Sequence, residues 1–473
     1  MTDMRALPAQ GVPVREVLDE LAAMRARDLP THGGRLFAYV YDPAVDGLDA
    51  LAAAAHSASA HVNGLDPTAF PSLLAMENDL VAAAATVLSG PPSTVGSVTS
   101  GGTESLILAV KAARDARPDV TAPRLVMPVT AHAALAKAAS YLRVALDTVP
   151  VDPATLRVDP AAVAAAIGPD TVLVACSAPS YAHGLIDPVP EIAAAASAAG
   201  VRCHVDACFG GWTLPFLRRL GEPIPPFDFS VPGVTSMSVD LHKYAYVPKG
   251  VSVLLHRDEA LRAPQYFGYA DWPGYTMVNP VISSTRSGGP IAAAWAVMRH
   301  IGDDGYLALA AKTRDATRGL AAAVAAVEGL EPVPVESTVV AFMSAAVDLF
   351  VLADELAARG WHTQPQFRHG DIPPSVHLTV TAAVASRVDE FAADLKSAVA
   401  AARALGPVGL PPGILDLLGS ASVADLAGAL GLGAGGALPD RMATVNSLLN
   451  AAPPRVREHL LVSFLSLLQR PAR

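Results

Sequence analysis

Lys243 is the residue whose type and position most directly suggest chemistry. The chain has six lysines against 28 arginines, so arginine occupies most of its generic cationic positions. Lys243 follows the apolar run Ser236–Val239, where a strand is expected to end. A lysine with a lowered pKa can form an imine with an aldehyde, whereas an arginine cannot. This predicts a Schiff-base lysine in a pyridoxal phosphate (PLP) enzyme, with a surface lysine in a turn as the alternative.

A glycine-rich segment, Ser100-Gly101-Gly102-Thr103, follows one predicted strand and precedes a predicted helix. Glycines let the backbone approach a ligand closely, and Thr103 is placed to cap the helix. The free N–H groups and the positive end of the helix dipole then form an anion site. The segment matches neither the dinucleotide-binding nor the NTPase fingerprint. It predicts a phosphate site, with an ordinary capped helix as the alternative.

Asp206 ends the apolar run Arg202–Val205. Ligands of open α/β sheets bind beyond the carboxyl ends of the strands. A carboxylate there can pair with the protonated pyridine nitrogen of PLP and keep the ring an electron sink; an aspartate that caps the following loop is the alternative. Cys203, His204 and Cys208 do not predict a metal site, because neighbouring strand residues point to opposite faces and no second ligand cluster exists.

Composition limits the classes of protein that this chain of 473 residues can represent. No uncharged apolar run reaches the roughly 18 to 20 residues of a spanning helix, and Met1–Arg5 lacks the apolar core of a signal peptide. The three cysteines give no disulfide framework. We expect a cytoplasmic protein without an integral membrane segment. The net charge of -10 argues against a nucleic-acid partner.

Short apolar runs alternate with alanine-rich helical segments from about residue 95, which predicts an α/β fold with a large, doubly wound, mostly parallel sheet. Strands are predicted at Val95–Thr99, Arg124–Val129, Leu142–Val149, Thr171–Ser177, Arg202–Val205, Ser236–Val239 and Val251–His256. A long helix near 290–327 leads to further strands near Val339–Ser344 and Ser375–Thr381.

This pattern divides the chain into three parts. An N-terminal helical segment (1–60) precedes the large PLP-binding domain (61–328), and a smaller C-terminal α/β domain (329–473) follows. Gly433–Ala437 reads as a flexible stretch within the last part. A phosphate cradle, a strand-end aspartate and a later strand-end lysine, in that order, indicate a PLP-dependent enzyme of fold type I.

With these motifs the chain resembles the sphingosine-1-phosphate lyases, within the group II PLP-dependent decarboxylase superfamily. The resemblance runs from about residue 34 to near the C-terminus and is most specific in Phe227–Ser236 and His242–Gly250. It implies that Lys243 carries the cofactor, Asp206 pairs with the pyridinium and His132 stacks on the ring. A helix-start histidine that only caps remains the alternative for His132.

The resemblance also implies further cofactor and substrate contacts. The additional cofactor contacts are Gly102, Thr103, Ser180, His183 and His242, together with Gly288 and Gly289, which would reach the phosphate in the partner subunit of a homodimer. The substrate contacts are Tyr41, Asn63, Asp66 and Lys249. An exposed turn lysine is the alternative for Lys249.

The chain departs from the family pattern in residues expected on the substrate side. Asp66 stands where the family has a histidine that helps bind substrate phosphate, and a carboxylate there would repel a phosphate. Tyr275 lies in a loop that differs from the family's, and Phe37 and Ala38 replace small residues. These changes suggest that the substrate is not a phosphorylated long-chain base, and Asp66 would favour a cationic one.

Three functions stay open from the sequence, all of which use PLP. The first is a carbon–carbon lyase that takes an amino-alcohol amine in place of Lys243 and releases an aldehyde. The second is an α-amino-acid decarboxylase, and the third is a non-catalytic PLP-binding protein. The bond held perpendicular to the cofactor ring breaks, so the substrate-binding groups select the reaction. An aminotransferase is least favoured, because only Arg368 is a candidate for binding an α-carboxylate.

Overall fold

The computed structural model describes residues 7–410 and 441–469. Gly433–Ala437, predicted to be flexible, lies outside them. The strands are β1 Val95–Thr99, β2 Arg124–Pro128, β3 Ala145–Val149, β4 Thr171–Ser177, β5 Arg202–Asp206, β6 Val234–Val239, β7 Ser252–His256, β8 Phe267–Tyr269, β9 Met277–Asn279, β10 Glu331–Pro332, β11 Val339–Met343, β12 Gln364–Gln366 and β13 Ser375–Thr379.

The helices surround these strands in the alternating order that the sequence predicts. They are α1 Val14–Arg25, α2 Leu48–Ser59, α3 Pro71–Val87, α4 Gly102–Asp115, α5 Ala133–Leu142, α6 Pro160–Ala166, α7 Val189–Ala198, α8 Leu214–Arg219, α9 Glu259–Arg262, α10 Gly289–Ala325, α11 Leu349–Ala357, α12 Val388–Leu405, α13 Ala443–Ala451 and α14 Pro454–Leu468. Within the described ranges, no helix is both long and apolar enough to cross a membrane.

The large sheet has seven strands in the order β1-β7-β6-β5-β4-β2-β3. Strands β2 to β6 pair in parallel, and β7 is antiparallel to both of its neighbours. Every residue of the central strand β4 is buried, as expected for a strand covered by helices on both faces. The predicted α/β fold with a mostly parallel sheet is therefore confirmed.

The strand directions bring the predicted motifs to one edge of this sheet. Because β1 and β6 are both antiparallel to β7, they point the same way, and β4 and β5 run with them. Thr99, Ser177, Asp206 and Val239 end these four strands at the same edge. This shared edge is where ligands of open α/β sheets bind.

A four-stranded antiparallel sheet, β10-β11-β13-β12, forms the smaller C-terminal domain with α11 and α12. Phe37 is fully buried in the core of this domain, stacked on Trp361 at 5.9 Å and edge-on to Phe391 at 5.2 Å. Leu48 and Ala52 of α2 instead join the core of the large domain. The N-terminal segment thus contributes to both cores, and the two boundaries between the three predicted parts remain predictions.

Two features differ from the predicted elements. Strands β8 and β9 form an antiparallel hairpin that the apolar pattern does not indicate, since its strands are short and largely exposed. The long helix α10 is interrupted at Gly302, whose backbone has φ 64° and ψ 175°. Glycine tolerates a positive φ without a Cβ clash, so α10 turns at this residue.

Candidate active site

A cavity of about 300 Å3 lies at the shared carboxyl edge of the large sheet. Its walls come from the ends of four strands and from the loops that follow them. The lining residues include Ser100, Gly101, Gly102, Thr103, Glu104, His132, Ser177, Tyr181, Asp206, Cys208, Phe209, Asp240, His242 and Lys243. The structure therefore brings together all three motifs predicted from the sequence.

The glycine-rich segment forms the N-terminus of α4 at one end of the cavity. The helix begins at Gly102 with Gly101 at the N-cap, so the predicted cap by Thr103 is wrong. Instead, the Glu104 carboxylate accepts the Ser100 N–H at 2.5 Å and the Ile282 N–H at 2.8 Å. A glycine is required at position 102, because a Cβ there would lie 2.8 Å from Asp240 Oδ1.

Asp206 reaches the cavity from the end of β5 and is buried. Its Oδ1 accepts the Cys208 N–H at 3.1 Å and the Ser238 hydroxyl at 3.4 Å. Ser177 is its register partner on β4, and the buried Ser177 hydroxyl has no hydrogen-bond partner within the described part of the chain. Over the same residues, no three His, Cys, Asp or Glu side chains gather as a metal site.

Lys243 pairs with Asp240, a residue that the sequence did not single out. Lys243 Nζ lies 3.0 Å from Asp240 Oδ2. Burial is the largest single effect and lowers the pKa of the free Lys243 amine. The Asp240 carboxylate, with smaller contributions from Tyr41 and Cys208, acts in the opposite direction, and together they raise the pKa overall. The predicted lowering of this pKa is therefore wrong for the free amine. Asp240 follows an apolar strand as Asp206 does, and that repeated signal in the sequence could have revealed it.

Aromatic rings form the wall between the two carboxylates and the smaller domain. His132 meets Tyr181 edge-on at 6.2 Å, and Tyr181 meets Phe209 at 6.4 Å. His132 also caps α5, because its Nδ1 accepts the Ala134 N–H at 3.2 Å. The capping role and the cavity-lining position thus coexist in His132.

Tyr41 and Lys249 form a cation–π pair beside this wall. The Lys249 ammonium lies 4.8 Å from the centroid of the Tyr41 ring, and Tyr41 packs edge-on against Phe209 at 6.2 Å. Lys249 is exposed, as the turn-lysine alternative expects, but partial loss of water around its ammonium lowers its pKa to about 8, and the charge of Lys243 adds to this effect. Burial raises the pKa of the Tyr41 phenol, so the phenol is neutral and can donate a hydrogen bond.

Four predicted cofactor contacts are not among the described residues that line the cavity. Ser180 and His183 are buried in the loop after β4, where the Ser180 N–H bonds to Leu185 O at 2.8 Å. Gly288 and Gly289 instead lie against α2, where a Cβ on Gly289 would meet the His56 ring at 2.7 Å.

Asp66 and Tyr275 line a second cavity, of about 670 Å3, whose walls do not include Lys249 among the described residues. The exposed Asp66 carboxylate accepts three hydrogen bonds, from the N–H and hydroxyl of Thr68 and the N–H of Ala69. These bonds lower the pKa of Asp66. Asn63 Oδ1 accepts the Leu65 N–H within a local turn and the N–H of the distant Arg286. The side chains of Asp66 and Asn63 therefore both stabilise the backbone of this chain.

The departures from the family pattern therefore do not form one substrate surface. Phe37 lies in the core of the smaller domain, so its grouping with the substrate residues is wrong. Asp66 and Tyr275 do lie together, but in the second cavity. One chain alone does not bring Asp66 to the Tyr41–Lys249 pair.

The residues at the first cavity fit PLP. The free N–H groups of α4 and the neighbouring His242 suit a phosphate, and the open backbone of Gly101 leaves room beside His242. Asp206 suits a protonated ring nitrogen, and the unsatisfied Ser177 hydroxyl can bond a polar atom of the ring. When bound, PLP supplies an electron sink for a carbanion.

Comparisons with known proteins agree with this fit. The profile of the family described as "Pyridoxal-dependent decarboxylase conserved domain" matches residues 30–344. A second family, "Pyridoxal-dependent enzyme, C-terminal putative HTH domain", matches residues 393–467. A glutamate decarboxylase structure from Lactobacillus brevis is 21% identical with a TM-score of 0.74, covering 85% of this chain and 96% of its own, and shows the fold.

Several relatives with higher sequence identity are sphingosine-1-phosphate lyases. The sphingosine-1-phosphate lyase of Arabidopsis thaliana is 36% identical over 94% of this chain and 79% of its own length. That of Dictyostelium discoideum is 38% identical over 84% and 75%. The structure of the Burkholderia pseudomallei enzyme is 35% identical with a TM-score of 0.81, covering 85% of this chain and 94% of its own. The chain therefore belongs to the sphingosine-1-phosphate lyase family and is a PLP-dependent lyase.

Proposed function

We propose that this enzyme cleaves the Cα–Cβ bond of a phosphorylated long-chain amino alcohol and releases an aldehyde. The names of its relatives support this substrate class. The observation that carries the proposal is the Lys249 ammonium over the Tyr41 ring, beside the wall of the cavity that contains Lys243. A cation at this position suits a substrate phosphate while the substrate amine reaches Lys243.

In this proposal each cavity residue has a defined task. Lys243 would hold PLP covalently and, once released, would donate and accept protons. Asp206 holds the proton on the ring nitrogen, and His132 stacks on the ring. The Gly102 and Thr103 N–H groups and His242 bind the cofactor phosphate. Ser180 and His183 then act through the loop that positions this wall.

The alternative is an α-amino-acid decarboxylase, because PLP supports both reactions. No arginine is found among the described residues that line the cavity, so an α-carboxylate has no bidentate partner there. The deciding experiment offers the purified enzyme a panel of phosphorylated 2-amino alcohols and α-amino acids, and measures aldehyde and CO2. Aldehyde from the amino alcohols supports the proposal, and CO2 alone would replace it with the decarboxylase.

The same assay tests the suggestion that Asp66 disfavours a phosphorylated substrate. Asp66→Asn keeps an oxygen that can accept the turn hydrogen bonds but removes the charge, whereas Asp66→His also restores the family's residue type. If the carboxylate repels phosphate, both variants gain turnover of phosphorylated substrates. A gain in neither variant means that Asp66 serves only the turn at Thr68 and Ala69.

We also propose a cytoplasmic homodimer in which Gly288 and Gly289 reach the cofactor phosphate of the partner subunit. Asp66 and Tyr275 lie away from Lys249 on their own chain. In the dimer they would approach the substrate that is bound in the partner subunit. Analytical ultracentrifugation measures the dimer, and PLP affinity is measured over a dilution series. A PLP affinity that falls as the dimer dissociates supports cofactor sites shared between subunits. A PLP affinity that does not change on dissociation would contradict shared sites.

A further inference from the structure

Asp240 is a second buried carboxylate in the cavity, and its geometry links it to Lys243. It follows β6 directly, and its carbonyl accepts the Lys243 N–H at 3.1 Å, which closes a tight turn. The same turn brings the two side chains together, with 3.0 Å between Lys243 Nζ and Asp240 Oδ2. Both the backbone and the side chain of Asp240 therefore position Lys243.

The Asp240 carboxylate is itself held firmly. The Ser252 hydroxyl on β7 donates to Oδ1 at 2.5 Å, and His242 Nε2 lies 3.6 Å from Oδ2. Gly102 packs so closely that a Cβ there would lie 2.8 Å from Oδ1. Only 4% of Asp240 is exposed. A buried charge with such fixed partners is costly to leave unpaired. The Asp240 carboxylate therefore needs the Lys243 ammonium as its counter-charge.

We propose that Asp240 is a positioning residue that holds the Lys243 ammonium whenever Lys243 is not joined to the cofactor. The proposal rests on the proposed attachment of PLP to Lys243 and extends it to the free lysine. If a substrate ammonium replaced Lys243, its nitrogen would bond to the cofactor carbon as the bond from the Lys243 nitrogen broke, and two protons would pass from the substrate nitrogen to the Lys243 nitrogen. The lysine leaves as an ammonium, and Asp240 provides its counter-charge.

The other ionisable groups at this position do not replace Asp240. The ionisable groups that act on the pair are Tyr41 from the N-terminal segment, Cys208 after β5, and His242 and Lys249 from the loop after β6. Asp206 lines the same cavity from the end of β5. Asp240 is the largest cause that raises the pKa of Lys243, ahead of Tyr41 and Cys208, and it acts against burial. Lys243 in turn is the largest cause that lowers the pKa of Asp240, again against burial.

The test measures the protonation of free Lys243 without measuring turnover. The full chain is stripped of PLP with hydroxylamine, and acylation of Lys243 by acetic anhydride is followed by peptide mass spectrometry over a pH series. In Asp240→Asn, we expect the pH of half-maximal labelling to fall by about one to three units relative to wild type, because an opposite charge at this distance is lost. Asp240→Glu keeps the charge, so its labelling midpoint should lie closer to that of the wild type.

Asp206→Asn is the matched control. It makes the same change on the neighbouring strand end but should shift the labelling midpoint of Lys243 much less, because Asp206 is not among the main groups that shift the Lys243 pKa. Equal midpoints in wild type and Asp240→Asn would overturn the proposal, as would equal shifts in Asp206→Asn and Asp240→Asn. Circular dichroism verifies folding. If Asp240→Asn does not fold, Asp240→Glu and Asp206→Glu compare displacement of the two carboxylates, and only Asp240→Glu should then lower the labelling midpoint. If PLP proves to attach elsewhere, borohydride reduction reveals it on another peptide, which separates that failure from this one.

Discussion

The imidazole of His377 lies against the phenol ring of Tyr181, with 4.5 Å between the ring centroids and 22° between the ring planes. His377 belongs to β13 of the smaller domain, whereas Tyr181 lines the cavity of the large domain. Burial lowers the pKa of His377 to about 4, so the ring is neutral near neutral pH. The smaller domain thus supports the cavity wall through a neutral stacked ring.

This contact predicts the effect of substituting His377. His377→Ala removes a fully buried ring and should cost roughly 3 kcal/mol in the free energy of unfolding, with a loss of kcat/KM as Tyr181 loses support. His377→Phe keeps the stacked ring, although it loses the bond to the Thr379 hydroxyl, and should retain more activity than the alanine variant. Urea unfolding and steady-state kinetics measure both effects. Equal kcat/KM in the two variants would show that the stack does not support the wall.

Lys243→Ala should remove covalent attachment of the cofactor and lower kcat at least about a thousandfold, because both attachment and proton transfer depend on this amine. Borohydride reduction followed by peptide mass spectrometry should find the cofactor on the Lys243 peptide of the wild type. Lys312→Ala changes an exposed lysine of α10 and should leave both results unchanged. Reduced cofactor on any other lysine would contradict the assignment.

Asp206→Asn tests the proposed hold on the ring proton. The amide oxygen can still accept the Cys208 N–H, so the loop stays ordered while the charge is lost. We expect PLP to remain bound and kcat to fall by about a hundredfold or more, since a neutral ring accepts electrons less well. Visible absorption reports the bound cofactor, and stopped assays report kcat. A variant with full activity would mean that Asp206 only caps its loop.

Gly102→Ala should weaken PLP binding by at least about tenfold, which corresponds to about 1.4 kcal/mol. The new methyl group would lie 2.8 Å from Asp240 Oδ1 and from Cys208 Sγ, so the start of α4 must move. Gly168→Ala is the matched control, because a Cβ there meets no described heavy atom within 4 Å. Fluorescence titration with PLP measures both affinities, and the prediction fails if the two variants bind PLP equally well.

Lys249 predicts a pH dependence for phosphorylated substrates. Its pKa is lowered to about 8, so its positive charge is present below this pH and is lost as the pH rises through it. The KM for a phosphorylated substrate should therefore rise above about pH 8. Lys249→Arg keeps its charge at higher pH and should show a flat KM, whereas Lys249→Met should show a high KM throughout. A flat KM in the wild type would separate Lys249 from the substrate phosphate.

The local pattern of the sequence accounts for much of the large domain. Alternation of apolar runs with alanine-rich segments reflects the two repeat lengths of strands and helices, so it predicts the parallel strands within a few residues. Strands that run in parallel end at one edge, so this rule predicts that Gly102, Asp206 and Lys243 lie at the same edge of the sheet. Their order along the chain then indicates PLP before any packing is known.

Tertiary structure decided the relationships that depend on packing between distant segments. The stacking of His377 on Tyr181 joins two domains, and the burial of Phe37 beside Trp361 follows from the path of the N-terminal segment. Asp66 and Lys249 lie on separate surfaces, because the segments that carry them pack in different places. The Asp240–Lys243 pair is close in sequence, yet its ion pair depends on Ser252 and Gly102 from other elements. Periodicity reports which face of an element is apolar, whereas these contacts depend on which faces meet.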